Sequence, residues 1–344
     1  MAVILARFNY RRMKNILASV ICCITLNTFA QTSLDTLKYL QNNKNVYGLI
    51  VEQNNQTLYK KYFSNYNGDS LFNDQSLTKS VVSILIGIAI DKDYISSVDE
   101  KIADYFPELK NDSDIRKQNI TIRDIMNQAS GLYHEDLTHL YLYLQLPDPS
   151  MYVLQQPMVA DPGSTWHYNN AATHLLSVIL TKATKMSTYD FAQKMLFQPL
   201  SITHSNWMKM NDGYYDGCGL LSMRLNTEAL IKIGELILYK GMYNGKQIIS
   251  VKWINELLNP GKKYQSYWGF PKSEYALCFY HFIYQQTNIT YGMGWGGQFI
   301  VIITSLNAVI AINQNIADEN AVNQSVAFQE QIFPVIFNML KKNK

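Results

Sequence analysis

Residues 73–91 read NDQSLTKSVVSILIGIAID, and this stretch decides the fold class of the chain. Its apolar residues occupy nearly every face of a helix: Val81, Val82, Ile84, Leu85, Ile86, Ile88 and Ile90. A helix that is apolar all round is buried in the protein core. The polar residues at 73–75 suit a helix start, and Gly87 allows a neighbouring element to pack closely. The sequence therefore predicts a buried helix over residues 76–91.

The same stretch holds a serine and a lysine three residues apart, Ser76 and Lys79, in the only S-x-x-K pattern of the chain. Residues i and i+3 lie on one face of a helix, so the lysine amine can reach the serine hydroxyl. Serine is a poor nucleophile until an adjacent base takes its proton, and a lysine serves when its surroundings lower its pKa. The helix N-terminus adds a positive potential that favours a developing oxyanion. Ser76 and Lys79 are therefore a candidate nucleophile and base.

Elements on both sides of this helix indicate how the chain is organised. We predict a hairpin at 46–63 with its turn at Asn54-Asn55, helices at 171–183 and 227–239, strands at 299–303 and 308–312, and an amphipathic helix at 321–341. Strands, helices, strands and a final helix predict an α+β fold, with an antiparallel sheet built from both chain ends, flanking helices and a mostly helical inserted subdomain. We expect one domain over 31–344, with a sheet subdomain at about 36–95 plus 236–344 and a helical subdomain at about 96–235.

A tyrosine and an asparagine, Tyr168 and Asn170, follow the strong turn signal Asp161-Pro162-Gly163-Ser164. Residues two apart in an extended segment point to the same side. A tyrosine there can relay a proton to a leaving group, and an asparagine can hold both Lys79 and a substrate carbonyl or amide. The two residues are therefore candidates for the same site as Ser76.

A glycine-rich stretch, GWGGQ at 294–298, leads into the strand predicted at 299–303. Clustered glycines let a ligand approach the backbone closely. Gly292, Gly294 and Gly297 match the dinucleotide pattern GxGxxG literally, but a β-branched run follows them instead of a helix, so we reject that motif. A strand-edge N–H at this place can form half of an oxyanion hole.

These three motifs, in this order, resemble the serine β-lactamase and penicillin-binding-protein superfamily, in particular its class C β-lactamase-like branch. That branch includes family VIII esterases, D-aminopeptidases and 6-aminohexanoate-dimer hydrolases. The resemblance covers roughly residues 44–315 and extends to the flanking sequences SLTKSVVSILIGIAID, ITIRDIMNQASGL and CGLLSMRLNTEALIKIGELILYKGMYNGKQIIS. It implies a β-lactamase-like fold and an acyl-enzyme mechanism.

Under this resemblance, Ser76 attacks a carbonyl carbon after losing its proton to Lys79, with Tyr168 assisting. Asn170 orients Lys79 and the substrate. Water then releases the acyl group, and whether Lys79 or Tyr168 is the base in each step stays open.

The third motif departs from the Lys-Thr-Gly that is usual in β-lactamases and D-Ala-D-Ala peptidases. Here the box is Trp295-Gly296-Gly297, which would orient the substrate, and the oxyanion would rest on the backbone N–H groups of Ser76 and Gln298. Tryptophan has no charge to pair with a substrate carboxylate, but it offers apolar area and one N–H donor. We therefore expect an esterase-type or amidase-type serine hydrolase with weak or no β-lactamase activity.

Two alternatives remain open at this stage. One is a β-lactamase or a D-Ala-processing cell-wall peptidase. The other belongs to a different class, a catalytically silent protein of penicillin-binding-like fold that binds a wall fragment or a partner protein. The complete set of Ser76, Lys79, Tyr168 and Asn170 argues against silence, because a lost function would tolerate the loss of one member.

The N-terminal residues 1–30 have the pattern of a secretory signal. Four basic residues, the last of them Lys14, and no acidic residue lie in this segment, and an apolar stretch from Ile16 to Ala30 follows them. This stretch is shorter than the roughly 20 apolar residues that span a bilayer. We expect a start at Met1 or Met13, cleavage near Ala30 and export to the periplasm or the medium, with a lipid anchor less favoured.

Charge and composition limit the partners. Residues 31–344 carry 26 basic and 27 acidic residues, which argues against nucleic acid as a partner.

His134 and His139 are spaced by five residues instead of the four of a zinc helix. We predict no metal and no cofactor, a small-molecule or short-peptide substrate with an ester or amide bond, no membrane span after signal cleavage, and a monomer. Cys218 and Cys278 remain after cleavage, and their pairing stays open.

Overall fold

The computed structural model describes residues 34, 40–41, 44–133, 140–317 and 321–343. The predicted signal peptide at 1–30 lies outside these residues, as do His134 and His139. Within the described part of the chain, no helix is long and apolar enough to cross a membrane.

The described strands and helices alternate along the chain in blocks. The strands are β1 (Val46–Gln53), β2 (Gln56–Tyr62), β3 (Phe72–Asn73), β4 (Ser205–Trp207), β5 (Met223–Leu225), β6 (Met242–Tyr243), β7 (Lys246–Gln247), β8 (Tyr264–Gln265), β9 (Glu274–Ala276), β10 (Phe279–Tyr284), β11 (Thr287–Gly294), β12 (Gln298–Ile303) and β13 (Ala308–Gln314). The α-helices are α1 (Leu77–Asp91), α2 (Ile122–Met126), α3 (Leu140–Gln145), α4 (Pro149–Gln155), α5 (Asn170–Thr184), α6 (Thr188–Ala192), α7 (Thr227–Leu238), α8 (Val251–Leu258), α9 (Ala321–Ala327) and α10 (Phe333–Lys342). Short 3₁₀ segments lie at Ile102–Asp104, Pro107–Asn111, Ile115–Asn119 and Thr304–Leu306, and π-helical turns at Gln193–Phe197 and Phe328–Ile332.

An eight-stranded antiparallel sheet with the order β2-β1-β13-β12-β11-β10-β9-β8 is the centre of the fold. The two ends of the chain meet in it where β1 pairs with β13, with Val51 opposite Ile310. The predicted sheet assembled from both chain ends is therefore confirmed. The predicted strands at 299–303 and 308–312 are its strands β12 and β13.

The N-terminal hairpin is also confirmed. Asn54 and Asn55 join β1 to β2, and both have positive φ values, 53° and 61°. Two consecutive residues with positive φ are the mark of a type I′ turn, and asparagine tolerates this conformation better than most residues.

Alternate residues of the central strands face two different helical layers. Ile300 and Ile302 of β12 lie in the same core cluster as α1 and α5, whereas Phe299 and Val301 share a second cluster with the C-terminal helix α10. This alternation follows from the two-residue repeat of a strand. Helices therefore cover both faces of the sheet.

Helix α1 is buried along most of its length, as its apolar sequence predicts. Every residue from 77 to 89 is buried, and the helix contacts β11 and β12 on one side and α5 on the other. A Cβ atom added at Gly87 would lie 2.3 Å from the Trp253 ring of α8. The prediction that Gly87 permits close packing is thus confirmed.

Helices predominate among the regular elements of residues 96–235, as predicted, but β4 and β5 of this section also form a small antiparallel sheet with β3, in the order β3-β5-β4. Phe72 pairs with Leu225 in this sheet. Strands of two or three residues show no alternating pattern, so the sequence gives no periodic signal for them. The small sheet brings the segment before Ser76 next to residues 223–225.

Candidate active site

Ser76 lies at the N-terminus of α1, directly after a tight turn. Gln75 has a positive φ of 51°, and the Asn73 side chain accepts hydrogen bonds from the Gln75 backbone N–H at 3.0 Å and from its side-chain amide at 2.9 Å. Ser76 itself is partly exposed and has helical dihedral angles, with φ −61° and ψ −10°. Its hydroxyl oxygen lies 3.0 Å from Lys79 Nζ.

Lys79 is almost completely buried, with 1% of its surface exposed. Its Nζ donates to Ser76 Oγ at 3.0 Å, to Asn170 Oδ1 at 2.8 Å and to the backbone carbonyl of Cys218. A lysine ammonium group has three N–H donors and no acceptor, so these three partners satisfy it completely.

The three partners differ in what they can do when Lys79 is neutral. The Asn170 and Cys218 oxygens only accept, so they keep the two N–H groups of a neutral amine. The amine lone pair then points at the remaining partner, the Ser76 hydroxyl, which can turn and donate to it. This arrangement aims the base at the candidate nucleophile.

The N-terminal turn of α5 supplies Asn170 and Tyr168. Asn169 caps this helix: its Oδ1 accepts the Ala172 N–H at 2.9 Å, while its Nδ2 donates to the Leu132 and Tyr133 carbonyls at 3.3 and 3.2 Å. The next residue, Asn170, is thereby directed at Lys79. The Tyr168 ring centroid lies 5.0 Å from Lys79 Nζ. Tyr168 and Asn170 thus both face the lysine.

Asp216 shapes the loop that presents the Cys218 carbonyl to Lys79. Its carboxylate is fully buried and accepts hydrogen bonds from five donors: the N–H groups of Cys218, Gly219, Leu221 and Ser222 at 2.6–3.0 Å and the Cys218 thiol at 2.9 Å. Gly219 has a φ of 86°, and a Cβ atom there would lie 2.3 Å from the Gln75 carbonyl oxygen. The loop therefore packs directly on the turn before Ser76.

The end of β11 contacts the same turn from the side of the sheet. A Cβ atom at Gly294 would lie 2.2 Å from the Asp74 carbonyl oxygen and 3.0 Å from the Gln75 Cβ. One at Gly292 would lie 2.7 Å from Ser80 Oγ. The glycines of β11 let the strand approach the start of α1 at backbone distance.

The predicted third motif lies in the turn between β11 and β12. Trp295 is 45% exposed, and Gly296 and Gly297 have left-handed φ values of 76° and 84°. Cβ atoms added at Gly296 and Gly297 would meet Asn315, Ile316, Gln314 and Ser325. Within the glycine-rich stretch, Gly294 is thus the residue whose contacts reach the Ser76 turn.

Gln298, predicted as an oxyanion donor through its backbone N–H, is the first residue of β12 and is paired with Gly294. Its buried side chain donates to the Gln314 carbonyl at 2.8 Å and accepts the Gln314 N–H at 3.0 Å. The side chain therefore fixes the β11–β12 turn to β13, and the strand partner of Gln298 is Gly294, the residue that packs on the Ser76 turn.

Burial also changes the titration of groups around Lys79. Cys218 and Cys278 are both free and buried. Burial raises the pKa of the Cys278 thiol to about 12 and that of the Cys218 thiol well above its usual value, although the Lys79 charge opposes both shifts. A thiol with a raised pKa is a poor nucleophile. Among the described residues, no group of three or more His, Cys, Asp or Glu side chains is arranged to hold a metal ion.

The family model described as Beta-lactamase matches residues 41–330. The chain belongs to the β-lactamase family. This family is built mostly of serine hydrolases, so a hydrolase function of the general serine type is supported, and the predicted resemblance is confirmed.

Individual relatives of this β-lactamase family chain are distant. "Beta-lactamase-like protein 4" of Dictyostelium discoideum is 26% identical over 153 residues, which are 40% of this chain and 27% of that protein. The match thus spans about a quarter of the relative's length.

Two solved structures show the same fold. A putative 6-aminohexanoate-dimer hydrolase from Bacillus anthracis has a TM-score of 0.70 at 21% identity, over 89% of this chain and 80% of that one. A class C β-lactamase has a TM-score of 0.67 at 15% identity, over 90% and 96%. The predicted α+β, β-lactamase-like fold is confirmed.

Ser76, Lys79, Tyr168 and Asn170 were predicted from the sequence as site residues, and the structure brings these four side chains together. Asp216, Asn169 and the Cys218 carbonyl were not predicted. A carbonyl belongs to every residue type, so no pattern can identify it. Asp216 had one usable signal, since the aspartate is followed by Gly217 and Gly219, and such loops fold around an Asp side chain that accepts backbone N–H groups.

Proposed function

We propose that this protein is an exported serine hydrolase that forms an acyl-enzyme on Ser76 and cleaves a carboxylic ester or an amide bond. The observation that carries this proposal is the bond between Lys79 Nζ and Ser76 Oγ at 3.0 Å, with the other two lysine donors occupied by Asn170 and Cys218. This geometry leaves one direction for the lone pair of a neutral amine, and that direction is the serine hydroxyl.

In the acylation half, Lys79 takes the Ser76 proton while Ser76 Oγ forms a bond to the substrate carbonyl carbon. The carbonyl π electrons move to its oxygen, and this oxyanion is held by backbone N–H groups of Ser76 and of the β11–β12 turn at Gln298. The tetrahedral adduct then breaks its bond to the leaving oxygen or nitrogen. That atom receives the proton from Lys79, with the Tyr168 hydroxyl as the relay.

In the deacylation half, a water molecule adds to the acyl carbon and gives its proton to neutral Lys79, or to Tyr168 as the Tyr168 hydroxyl passes its own proton to Lys79. The second tetrahedral adduct expels Ser76 Oγ, which takes the proton back and restores the hydroxyl. The acid product leaves, and Asn170 keeps Lys79 oriented in both halves. Only residues of this chain and water take part in these steps.

The aromatic side chains near the site favour neutral, apolar substrates. Trp295, which stands where many relatives carry a cation, is 45% exposed. Beside Tyr168, the Trp166 ring centroid lies 6.1 Å from the Tyr168 ring and 4.7 Å from the ring of the exposed Tyr267. Aromatic rings bind apolar groups and do not neutralise a carboxylate. We therefore favour, as substrates, esters and amides that carry no carboxylate next to the scissile bond over β-lactams and D-Ala peptides.

The test is the pre-steady-state release of nitrophenol from a short-chain nitrophenyl ester. Wild-type protein should give a burst followed by slower turnover, and Ser76→Ala should give neither. The matched control is Ser83→Ala, because Ser83 is a buried serine of the same helix whose hydroxyl has no hydrogen-bond partner in the described part of the chain. A burst that persists in Ser76→Ala would refute the assignment of the nucleophile.

The remaining two functions are separated by labelling. Penicillin that adds its mass to Ser76, together with efficient turnover of nitrocefin, would favour the β-lactamase or peptidase function instead. A protein that neither turns over esters nor is acylated by penicillin or a fluorophosphonate would support the silent binding protein.

A further inference from the structure

Helix α5 carries a second residue that reaches the surroundings of Lys79. His174 lies four residues after Asn170, so both side chains lie on the same face of the helix. Asn170 bonds Lys79 directly. His174 instead bonds the loop that carries the Cys218 carbonyl, because its Nδ1 accepts the Gly217 N–H at 3.2 Å.

The hydrogen bonds of His174 define one tautomer. Its Nδ1 accepts an N–H, so it carries no proton, and its Nε2 lies 2.9 Å from Asp212 Oδ2. Although burial opposes it, hydrogen bonds from His174, Ser150 and the Tyr214 backbone N–H lower the pKa of Asp212. Asp212 is therefore an ionised acceptor and Nε2 is the donor. The imidazole is fully buried, and both of its nitrogens have a hydrogen-bond partner.

We propose that His174, held by Asp212, is a positioning residue for Lys79. Asp216 gives the loop its internal shape, whereas the Gly217–His174 bond ties that loop to α5. The two acceptors that direct the Lys79 lone pair, Asn170 Oδ1 and the Cys218 carbonyl, are then fixed relative to each other by one helix face. This inference rests on the proposed function, because it assigns a role in aiming the base at Ser76.

The loop that carries Gly217 and Cys218 is in direct contact with α5. A Cβ atom at Gly217 would lie 3.0 Å from the His174 carbonyl oxygen and 3.0 Å from Ser177 Cβ, so the loop backbone already touches α5 at this residue. Losing the Gly217 bond leaves a buried N–H without a partner, which drives the backbone to rotate. Such a rotation moves the Cys218 carbonyl, one residue further along the chain.

Two substitutions separate this role from simple support of the fold. His174→Asn keeps a polar acceptor near the position of Nδ1 and loses the bond to Asp212. His174→Gln keeps a donor near the position of Nε2 and loses the bond to Gly217. Each removes one buried hydrogen bond, so we expect similar losses in melting temperature.

The expected kinetic results differ. We expect His174→Gln to lower kcat for a nitrophenyl ester by about tenfold and His174→Asn by no more than about threefold, with KM nearly unchanged in both. Ser150→Ala is the control, because it removes another hydrogen bond to Asp212 without touching His174. Equal losses of kcat in the two His174 variants, or losses that follow only the melting temperature, would overturn the proposal.

A second readout does not depend on catalysis. NMR of lysine ¹³Cε groups, with Lys79 assigned through Lys79→Arg, follows the titration of this lysine in each variant. We expect a shifted titration midpoint in His174→Gln and an unchanged one in His174→Asn. If wild type shows no Ser76-dependent burst, the proposed function fails, and a shift specific to His174→Gln still supports the positioning role. The same midpoint in all three proteins contradicts it.

Discussion

Asp74 and Asp216 are two fully buried aspartates on either side of the Ser76 turn, and the hydrogen-bond environments of their carboxyl groups are opposite. Five donors surround the Asp216 carboxylate. No well-aligned hydrogen bond reaches either Asp74 oxygen among the described residues, and the Leu225 backbone and the Asn313 side chain make only weak polar contacts with the carboxyl group. Burial raises the pKa of Asp74 well above its usual value, and the nearby Leu225 backbone and Asn313 side chain offset this only in part.

The difference shows that burial alone does not decide how well the protein accommodates a carboxyl group. The supply of N–H donors decides it, since these donors replace the water that an ionised carboxylate loses. Asp216 is therefore the hydrogen-bonded anchor of the loop that holds Lys79. Asp74 is a buried acid with a raised pKa beside the nucleophile, and we expect the two to respond oppositely to the same Asp→Asn change.

The largest effect should come from Asp216→Asn. Two of the buried N–H groups would face the amide NH₂ instead of an oxygen, and we expect a loss of about 3–5 kcal/mol in unfolding free energy. Any folded fraction should lose its burst activity, because the Cys218 carbonyl would no longer be held. Urea unfolding measures the loss. The exposed Asp93→Asn is the control, and a loss below about 1 kcal/mol in Asp216→Asn would contradict the anchor role.

The next effect should come from Gly294→Ala, which tests the backbone on which Asp74 lies. The new methyl group would collide with the Asp74 carbonyl oxygen, so we expect about 1–3 kcal/mol of destabilisation and a loss of kcat of at least about tenfold. The matched control is Gly261→Ala, because a Cβ atom at Gly261 meets no atom of the described structure within 4 Å. Equal stability and activity in both variants would show that β11 does not hold the turn.

The smallest effect should come from Asp74→Asn, and it should favour the variant. In the unfolded chain Asp74 ionises near its usual pKa of 3.8, whereas the folded protein keeps the proton to higher pH. Wild type therefore loses stability as the pH rises above about 4, and an amide does not. We expect urea unfolding to show an advantage for Asp74→Asn that grows to about 1 kcal/mol between about pH 4 and pH 8. An advantage that shrinks with pH would mean that Asp74 is ionised in the folded protein.

Much of the fold could be predicted because its signals are local. The apolar run of α1, the Asn54-Asn55 turn and the β-branched runs at 299–303 and 308–312 are each visible within a few residues. The order of these segments then gives the sheet from both chain ends. What could not be predicted is the small sheet of β3, β4 and β5, whose strands are too short to show a pattern.

The site was predictable in its side chains and not in its backbone. Ser76, Lys79 and Asn170 were recognised by residue type and spacing, and their side chains meet as expected. Their catalytic roles, the oxyanion role of Gln298 and the monomeric state stay predictions. The Cys218 carbonyl and the Gly294 contact depend on how distant segments of backbone meet, and His174 has the appearance of an ordinary residue of a buried helix face.

The pairing of β1 with β13 has a consequence for how the chain folds. Gln53 of β1 donates a hydrogen bond to the Leu306 carbonyl, 253 residues later in the chain. Such distant pairings slow folding, because a large loop must close before the contact forms. The N-terminal hairpin cannot complete its sheet until nearly all of the protein has been synthesised. A ribosome-bound nascent chain that ends before β13 should therefore leave this hairpin open to proteases, and release of the full-length chain should protect it.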